Sequence, residues 1–346
     1  MKVIVAMSGG VDSSTAAYLL KKQGYEVSGL SFTLMETRGV KDINPNICCS
    51  IKAIESASQS SRHIGIPHSV VDLRAEFIQH VIEPFIEAYS NGITPNPCIL
   101  CNRFIKFPYL LMEAEEKGAD FIATGHYANT APSLRKGIDQ RKDQSYVLYA
   151  LKKEELRRLI LPLGGLRKDE VRAIAKTQGL PSASRLESQE ICFIKDKNYS
   201  SFIGSFLPQK EGPIIDTKGN VIGTHKGLYR YTIGQRKRLG ISSLEPLYVN
   251  KIDTANNALY IGARNMALKK EFLVSEVNWL IPKREDFRAG VKIRSMMPDK
   301  SATVYIMNDD TVDVLYDEPE WAPSAGQSAV FYEGDMVIGG GVIQSP

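Results

Sequence analysis

The chain has 346 residues, 43% of them hydrophobic and 24% charged, which is too long for one ordinary core and predicts two or three domains. Its formal net charge of +4 is too mild to demand a nucleic-acid partner from bulk electrostatics, so any such role must come from local basic clusters. No apolar run approaches the ~20 residues that span a bilayer and the start MKVIVAMSGG carries no secretory pattern, so a cytoplasmic protein is expected, with an odd five cysteines arguing against a disulfide framework.

In chain order, KVIVAM predicts a first strand, SSTAAYLLKKQGY a helix and EVSGLSFTL a second strand. The helical pattern IKAIESASQSSRHIG, the strand HSVVDL, the helical patterns AEFIQHVIEPFIEAY and RFIKFPYLLMEAEEKG, and the strand DFIATGH follow. This alternation predicts an α/β fold with a parallel sheet covered by helices on both faces. KDEVRAIAKTQG predicts a further helix, and after about residue 203 the texture changes to glycine-punctuated β-like segments. GPIIDTKGNVIG, PLYVNKIDTANNALYIG, ATVYIMNDDTVDVLY and SAVFYEGDMVIGGGVI each pair two alternating runs across a polar turn, the pattern of β-hairpins. The expected division is an α/β domain over 1–203, a mixed central domain over 204–270 and a C-terminal β-barrel over 271–346.

Ser8-Gly9-Gly10-Val11-Asp12-Ser13 falls between the first strand and its helix. Small residues there let backbone N–H groups approach an anion, and the helix N-terminus favours negative charge. The loop lacks the G-K-[ST] ending of a Walker A motif and is not G-x-G-x-x-G, so neither an ordinary P-loop NTPase nor a Rossmann dinucleotide site is expected. The plain alternative is a glycine turn capped by Asp12 or Ser13.

The cysteines are Cys48, Cys49, Cys98, Cys101 and Cys192. Cys98 and Cys101, in PNPCILCNRFIK, have the C-x-x-C spacing that serves zinc sites, redox turns and iron–sulfur ligation alike. Cys192, in EICFI, reads by itself as a small buried apolar residue between Ile191 and Phe193. Cys48 and Cys49 are adjacent, cannot comfortably face one site from a regular element, and are assigned no function. The stretch HKGLYRYTIGQRKRLG gathers Arg236, Lys237 and Arg238; by itself a basic run is usually a solvated face, with phosphate contact the alternative.

The loop SGGVDS resembles the pyrophosphate loop of the ATP-pyrophosphatase (PP-loop) superfamily, whose members cleave ATP to AMP and pyrophosphate while adenylating a substrate. Together with GITPNPCILCNRFIKF, ATGHYA, KDQSYVLYAL, SQEICFI, YTIGQRKRLGI and SAGQSAVFYEGD, in register from residue 2 to about 343, it makes the chain resemble the tRNA-specific 2-thiouridylase family, which replaces the C2 oxygen of the wobble uridine by sulfur. The resemblance implies an N-terminal PP-loop ATPase domain in which Ala6, Met7, Ser8, Gly9, Gly10, Val11, Asp12 and Ser13 hold the phosphates of ATP with Mg²⁺. Phe32 would border the adenine and Gly125 would give the nucleotide a close backbone approach. It further implies Cys101 as catalytic nucleophile and Cys192 as persulfide carrier, with Asn96, Pro97 and Cys98 near the target base. His126, Lys142, Asp143, Gln144, Arg294, Ser295 and Gln327 are the implied tRNA contacts. The implied partners are wobble-uridine tRNAs of the Lys, Glu and Gln type and a sulfur donor such as a cysteine desulfurase or a relay protein. Another PP-loop ligase, or a non-enzymatic adenine-nucleotide-binding module, would not need the paired cysteine segments.

Four positions depart from the family pattern, the first being Phe32, which stands where the family often has Met or Leu, so that the adenine contact is an apolar one. Cys98 stands where many members have Asp, so a proton role for that carboxylate is in doubt. With Cys101 and Cys192 it gives three thiols, the ligand set with which related sulfur-inserting enzymes hold a [4Fe–4S] cluster with one open iron; the alternative is a persulfide relay beside a tolerated substitution. Glu187 replaces an Asp before Ser, and Arg294-Ser295 replaces a common Arg-Tyr.

Overall fold

The computed structural model describes residues 1–35, 51–185, 191–194, 198–282 and 284–344; Cys48, Cys49 and Glu187 lie outside them. The chain divides into two compact units. The first holds Met1–Ile82, Pro97–Lys197 and Gly334–Val337, the second Glu83–Asn96, Asn198–Glu333 and Ile338–Pro346.

The chain begins with β1 (Lys2–Ala6), α1 (Val11–Lys22), β2 (Glu26–Thr33), α2 (Ile51–Ile64) and β3 (His68–Asp72). A short α3 (Arg74–Phe77) runs into a π-helical turn, Ile78–Ile82, before α4 (Glu83–Ser90). α5 (Pro97–Cys101) runs into a second π-helical turn, Asn102–Lys106, before α6 (Phe107–Glu116). Each wide turn precedes a proline, Pro84 or Pro108, whose missing N–H and bulky ring forbid the ordinary bond to the carbonyl four residues back. The periodicity of these segments is helical, but one proline in each converts a uniform helix into two joined by a bulge.

α4 belongs to the second unit; β4 (Phe121–Ala123), the short pair β5 (Ala128–Asn129) and β6 (Arg135–Lys136), α7 (Ser145–Leu148), α8 (Lys153–Arg158), β7 (Leu159–Ile160) and α9 (Lys168–Thr177) complete the first. Its five parallel strands stand in the order β3-β2-β1-β4-β7. Strand order therefore reverses at β1, with β2 on one side and β4 on the other, and such a switch point leaves a ligand crevice at the carboxyl ends of the strands. Val3, Val5, Met7, Ala17, Leu20, Val27, Ala57 and Ala123 pack into one core there. α1 lies close to the sheet because its inner face is small: Ser14 and Thr15 are fully buried and donate to the carbonyls four residues back, Gly10 at 3.1 Å and Val11 at 2.8 Å.

The second unit adds α10 (Tyr199–Gly204) and a mixed sheet of β8 (Gly212–Ile215), β9 (Val221–His225), β10 (Tyr248–Asp253) and β11 (Ala258–Gly262), ordered β10-β11-β8-β9. β12 (Leu268–Trp279), β13 (Phe287–Lys292), β14 (Lys300–Ile306), β15 (Val312–Trp321), β16 (Ser328–Glu333) and β17 (Met336–Ile343) then form an antiparallel barrel. Pairing of β12 with β17, from Val274 opposite Ile343 to Trp279 opposite Gly339, closes it and removes the exposed edges. The expected α/β fold, mixed central sheet and C-terminal barrel are all present. Among the described residues no helix is long and apolar enough to cross a membrane.

Candidate active site

The Ser8–Ser13 loop leaves β1 at the switch point, and the segment Thr124–Tyr127 leaves its neighbour β4 beside it. Gly9 holds φ +72°, and a Cβ there would stand 2.0 Å from the Ala53 carbonyl oxygen, so only glycine permits this turn. The Gly9 carbonyl accepts from Ser56 Oγ at 2.9 Å and from an Arg185 guanidinium nitrogen at 3.0 Å. Gly10 is the N-cap of α1 and supplies no side-chain cap, leaving first-turn N–H groups of a 12-residue helix to meet an anion. Ser13 Oγ accepts from the Ser8 N–H at 3.2 Å and donates to the Gly10 carbonyl at 3.2 Å, fixing the loop from within.

The other expected nucleotide residues divide by what they expose. Met7 and Val11 are buried in the core and can offer a nucleotide only their backbone. Ala6 ends β1. Phe32 is 5% exposed, so it presents at most an apolar edge. A Cβ on Gly125 would lie 2.8 Å from the Asp12 carbonyl carbon and the Ser13 nitrogen, so this glycine is needed for the β4 loop to lie against the phosphate loop itself.

Three residues absent from the sequence expectations complete the loop's surroundings. Lys168, first residue of α9 and 8% exposed, donates to both carboxylate oxygens of Asp12 at 2.6 and 2.7 Å. Tyr127 Oη donates to Asp12 Oδ1 at 2.7 Å, with the Lys168 ammonium 5.6 Å from its ring centroid. The faint signal for Lys168 was a cation at the first position of a helix, where the dipole favours acids. Arg185 gave none.

His126 lies beside this loop. Burial first, and the Lys106 ammonium second, hold its pKa down to about 3. Its Nδ1 lies 2.7 Å from Thr124 Oγ1 and its ring 5.9 Å from that of Phe107. It is a neutral, packed imidazole at neutral pH.

Pro97 opens α5, where a missing N–H costs nothing, and three residues of spacing place Cys98 and Cys101 on one face of that single turn. Cys98 is half-buried and Cys101 is 5% exposed. The next residue, Asn102, is buried and donates to the Val147 carbonyl at 2.9 Å, tying this turn to α7; among the described residues its buried amide oxygen has no partner. Cys192 is half-buried, beside Phe193, which docks edge-on against Phe77 with ring centroids 5.8 Å apart. Phe77 ends α3, and the π-helical turn that follows it packs on α5. Both cysteine segments thus anchor on one continuous stretch of chain.

The iron–sulfur expectation is not supported: among the described residues no group of three or more His, Cys, Asp or Glu side chains is arranged to hold a metal ion, and Cys98, Cys101 and Cys192 form no such group. Cys101 is buried in the packed interior, Cys98 is half-buried, and Cys192 stands on a separate segment docked through Phe193. Mg²⁺ sets a lower requirement, one or two carboxylates plus substrate phosphates and water, and Asp12 in the first turn of α1 meets it.

Of the expected tRNA-contacting loop, Lys142 is half-exposed, while Asp143 is buried and accepts from the Gly137 N–H, the Ser145 N–H and Ser145 Oγ at 3.1, 3.0 and 3.0 Å. Gln144 accepts from the Tyr127 N–H at 3.0 Å and its own N–H donates to the Tyr127 carbonyl at 2.9 Å. These two side chains shape the loop. In the second unit, Arg294 and Gln327 line one cleft of about 300 Å³ with Thr94, Thr232, Gly234, Gln235 and Ser324. Gln327 donates to the Thr94 carbonyl at 2.8 Å and Arg294 to that of Ala322 at 3.0 Å. Asn96 and Ser295 are half-exposed in that unit.

A parallel sheet with a glycine loop, an uncapped helix N-terminus and a pair of a half-buried acid with a buried cation at its switch point defines a PP-loop nucleotide-binding α/β protein. Three family models match in succession: the tRNA methyl transferase HUP domain over residues 1–196, the tRNA methyl transferase PRC-barrel domain over 200–263 and the aminomethyltransferase beta-barrel domain over 269–343. The chain is 42% identical over 354 residues to the tRNA-specific 2-thiouridylase MnmA of Clostridioides difficile (strain 630), covering 99% of this chain and 98% of that one. It is 44% identical over 353 residues to the tRNA-specific 2-thiouridylase MnmA of Halothermothrix orenii, covering 99% of each. Among solved structures, a 4-thiouridine synthetase in complex with RNA and bound ATP is 20% identical over 55% of this chain and 44% of that one, with a TM-score of 0.38. The chain belongs to the tRNA-specific 2-thiouridylase family.

Proposed function

We propose that this protein is an ATP-dependent tRNA-uridine 2-sulfurtransferase acting on the wobble uridine of Lys-, Glu- and Gln-type tRNAs. The observation that carries the reading is the pairing, within one unit, of the PP-loop at the switch point with two cysteine segments anchored on the stretch Phe77–Ile82. In this reading residues 1–203 bind ATP and perform the chemistry, while 204–270 and 271–346 hold the RNA.

The uridine must be unstacked to expose C2. Its C2 oxygen attacks the α-phosphorus of ATP, and the pyrophosphate leaves against the loop N–H groups. Mg²⁺, held by Asp12 and the phosphates, would supply charge neutralisation. The adenylated oxygen is then a good leaving group. The terminal sulfur of a Cys192 persulfide attacks C2 and expels AMP; the Cys101 thiolate attacks the Cys192 sulfur, forming a Cys101–Cys192 disulfide and leaving sulfur on C2. A thiol reductant and a persulfide donor, such as a cysteine desulfurase or relay protein, reset the enzyme. The relay is favoured over a cluster because the three thiols form no tripod among the described residues.

The test is thiolation of unmodified tRNA with ATP, comparing persulfide with sulfide as donor. Cys101→Ser and Cys192→Ser are expected to abolish product while ATP and tRNA still bind. Full thiolation by Cys192→Ser, or activity that requires iron, would refute the relay.

A further inference from the structure

We infer that Lys168 is a phosphate-binding residue for the ATP of the proposed reaction, and that Asp12 holds it in place until the nucleotide arrives. This inference rests on the PP-loop reading above.

Lys168 stands 156 residues from Asp12 in the chain, yet its ammonium reaches both carboxylate oxygens at 2.6 and 2.7 Å. That places a cation at the first turn of α1, whose uncapped N–H groups face any anion the loop receives. The lysine is costly where it stands. It opens α9, so the helix dipole opposes it, and it is 8% exposed, so burial opposes its charge. Two unfavourable placements are retained only if a charged partner offsets them. Asp12 is that partner here, but Asp12 is itself the acid suited to Mg²⁺.

Entry of a magnesium-bound triphosphate resolves both requirements by exchange of partners. The Asp12 carboxylate would hold Mg²⁺, and the freed ammonium would take phosphate oxygens, which carry the charge that Asp12 relinquishes. No buried charge is left alone at any stage. Tyr127 Oη, 2.7 Å from Asp12 Oδ1, keeps the carboxylate oriented during the exchange. A purely structural ion pair predicts no such link between the lysine and the phosphates.

The experiment measures ATP, AMP and adenosine binding by calorimetry, with and without Mg²⁺, for the wild-type chain, Lys168→Met and Lys168→Arg, alongside thermal melts. Lys168→Met is expected to weaken ATP by about tenfold or more, in line with loss of a charge-assisted contact, and to leave adenosine within about twofold; Lys168→Arg should recover part of the ATP affinity. Wild-type ATP affinity in Lys168→Met, or equal losses for ATP and adenosine, would overturn the inference. Asp12→Asn/Lys168→Met removes both charges, so a folded double variant that binds ATP more weakly than Asp12→Asn alone, with normal adenosine binding, also supports it, and one that binds ATP as well as Asp12→Asn alone refutes it. A wild-type chain that binds ATP through Lys168 but never thiolates tRNA would sink the proposed function and leave this inference standing.

Discussion

At the scale of single residues, the site separates groups that act from groups that hold. His126 is a packed neutral ring, with its pKa lowered to about 3 chiefly by burial. The unfolded chain takes up that proton near the ordinary 6.5. Stability from this group is therefore complete above pH 6.5, falls as the pH drops from there toward 3, and changes no further below. Replacing His126 by Asn removes the titration. Thermal melts at pH 7 and pH 5 should show a smaller drop for His126→Asn than for the unaltered chain; equal drops would mean the imidazole is not held neutral. Asp143 and Gln144 show a different division, because motif position assigned them to RNA while their side chains are occupied in shaping the loop. A sequence motif marks a segment and does not say which of its side chains point outward.

At the scale of elements, the two π-helical turns govern how the cysteine helix is presented. Asn102–Lys106 follows Cys101 directly and exists in front of Pro108, which cannot donate to the Phe104 carbonyl. Pro108→Ala restores that donor and relieves the proline cost in a helix interior, about 3 kcal/mol at most. Relaxation to a regular helix would turn Cys101 relative to α6 by roughly one residue's rotation, about 100°. The expected outcome is a melting temperature at or above that of the parent with slower thiolation. If both are unchanged, the bulge is held by packing, with the Asn102 bond to Val147 the first candidate.

At the scale of the whole molecule, a net charge of +4 over 346 residues leaves RNA affinity to local cations. Arg236, Lys237 and Arg238 are all exposed and flank a buried Leu239, so the backbone holds them outward in the second unit. If they meet phosphates, each change to Gln lowers the slope of log K for tRNA against log salt by about 0.7–0.9. The checking measurement is a salt titration of tRNA binding for the three single variants. Slopes that match the parent's would place the RNA elsewhere and return this run to a solvated face.

The sequence by itself determined what depends on neighbours in the chain. Strand and helix periodicity gave the α/β order and the hairpins, and the Ser8–Ser13 spacing marked a glycine turn between β1 and α1. These were legible because dihedral preference, alternation and turn chemistry act over a few residues. Only the tertiary structure decided which distant residues meet. It set Lys168 on Asp12, Arg185 on Gly9 and Gly125 against the phosphate loop, and it grouped Glu83–Asn96 with the C-terminal unit. It also withheld the three-thiol tripod that Cys98 had invited. The physical reason is the same throughout: sheet order and helix packing, which no local spacing encodes, fix where side chains far apart in the chain come together.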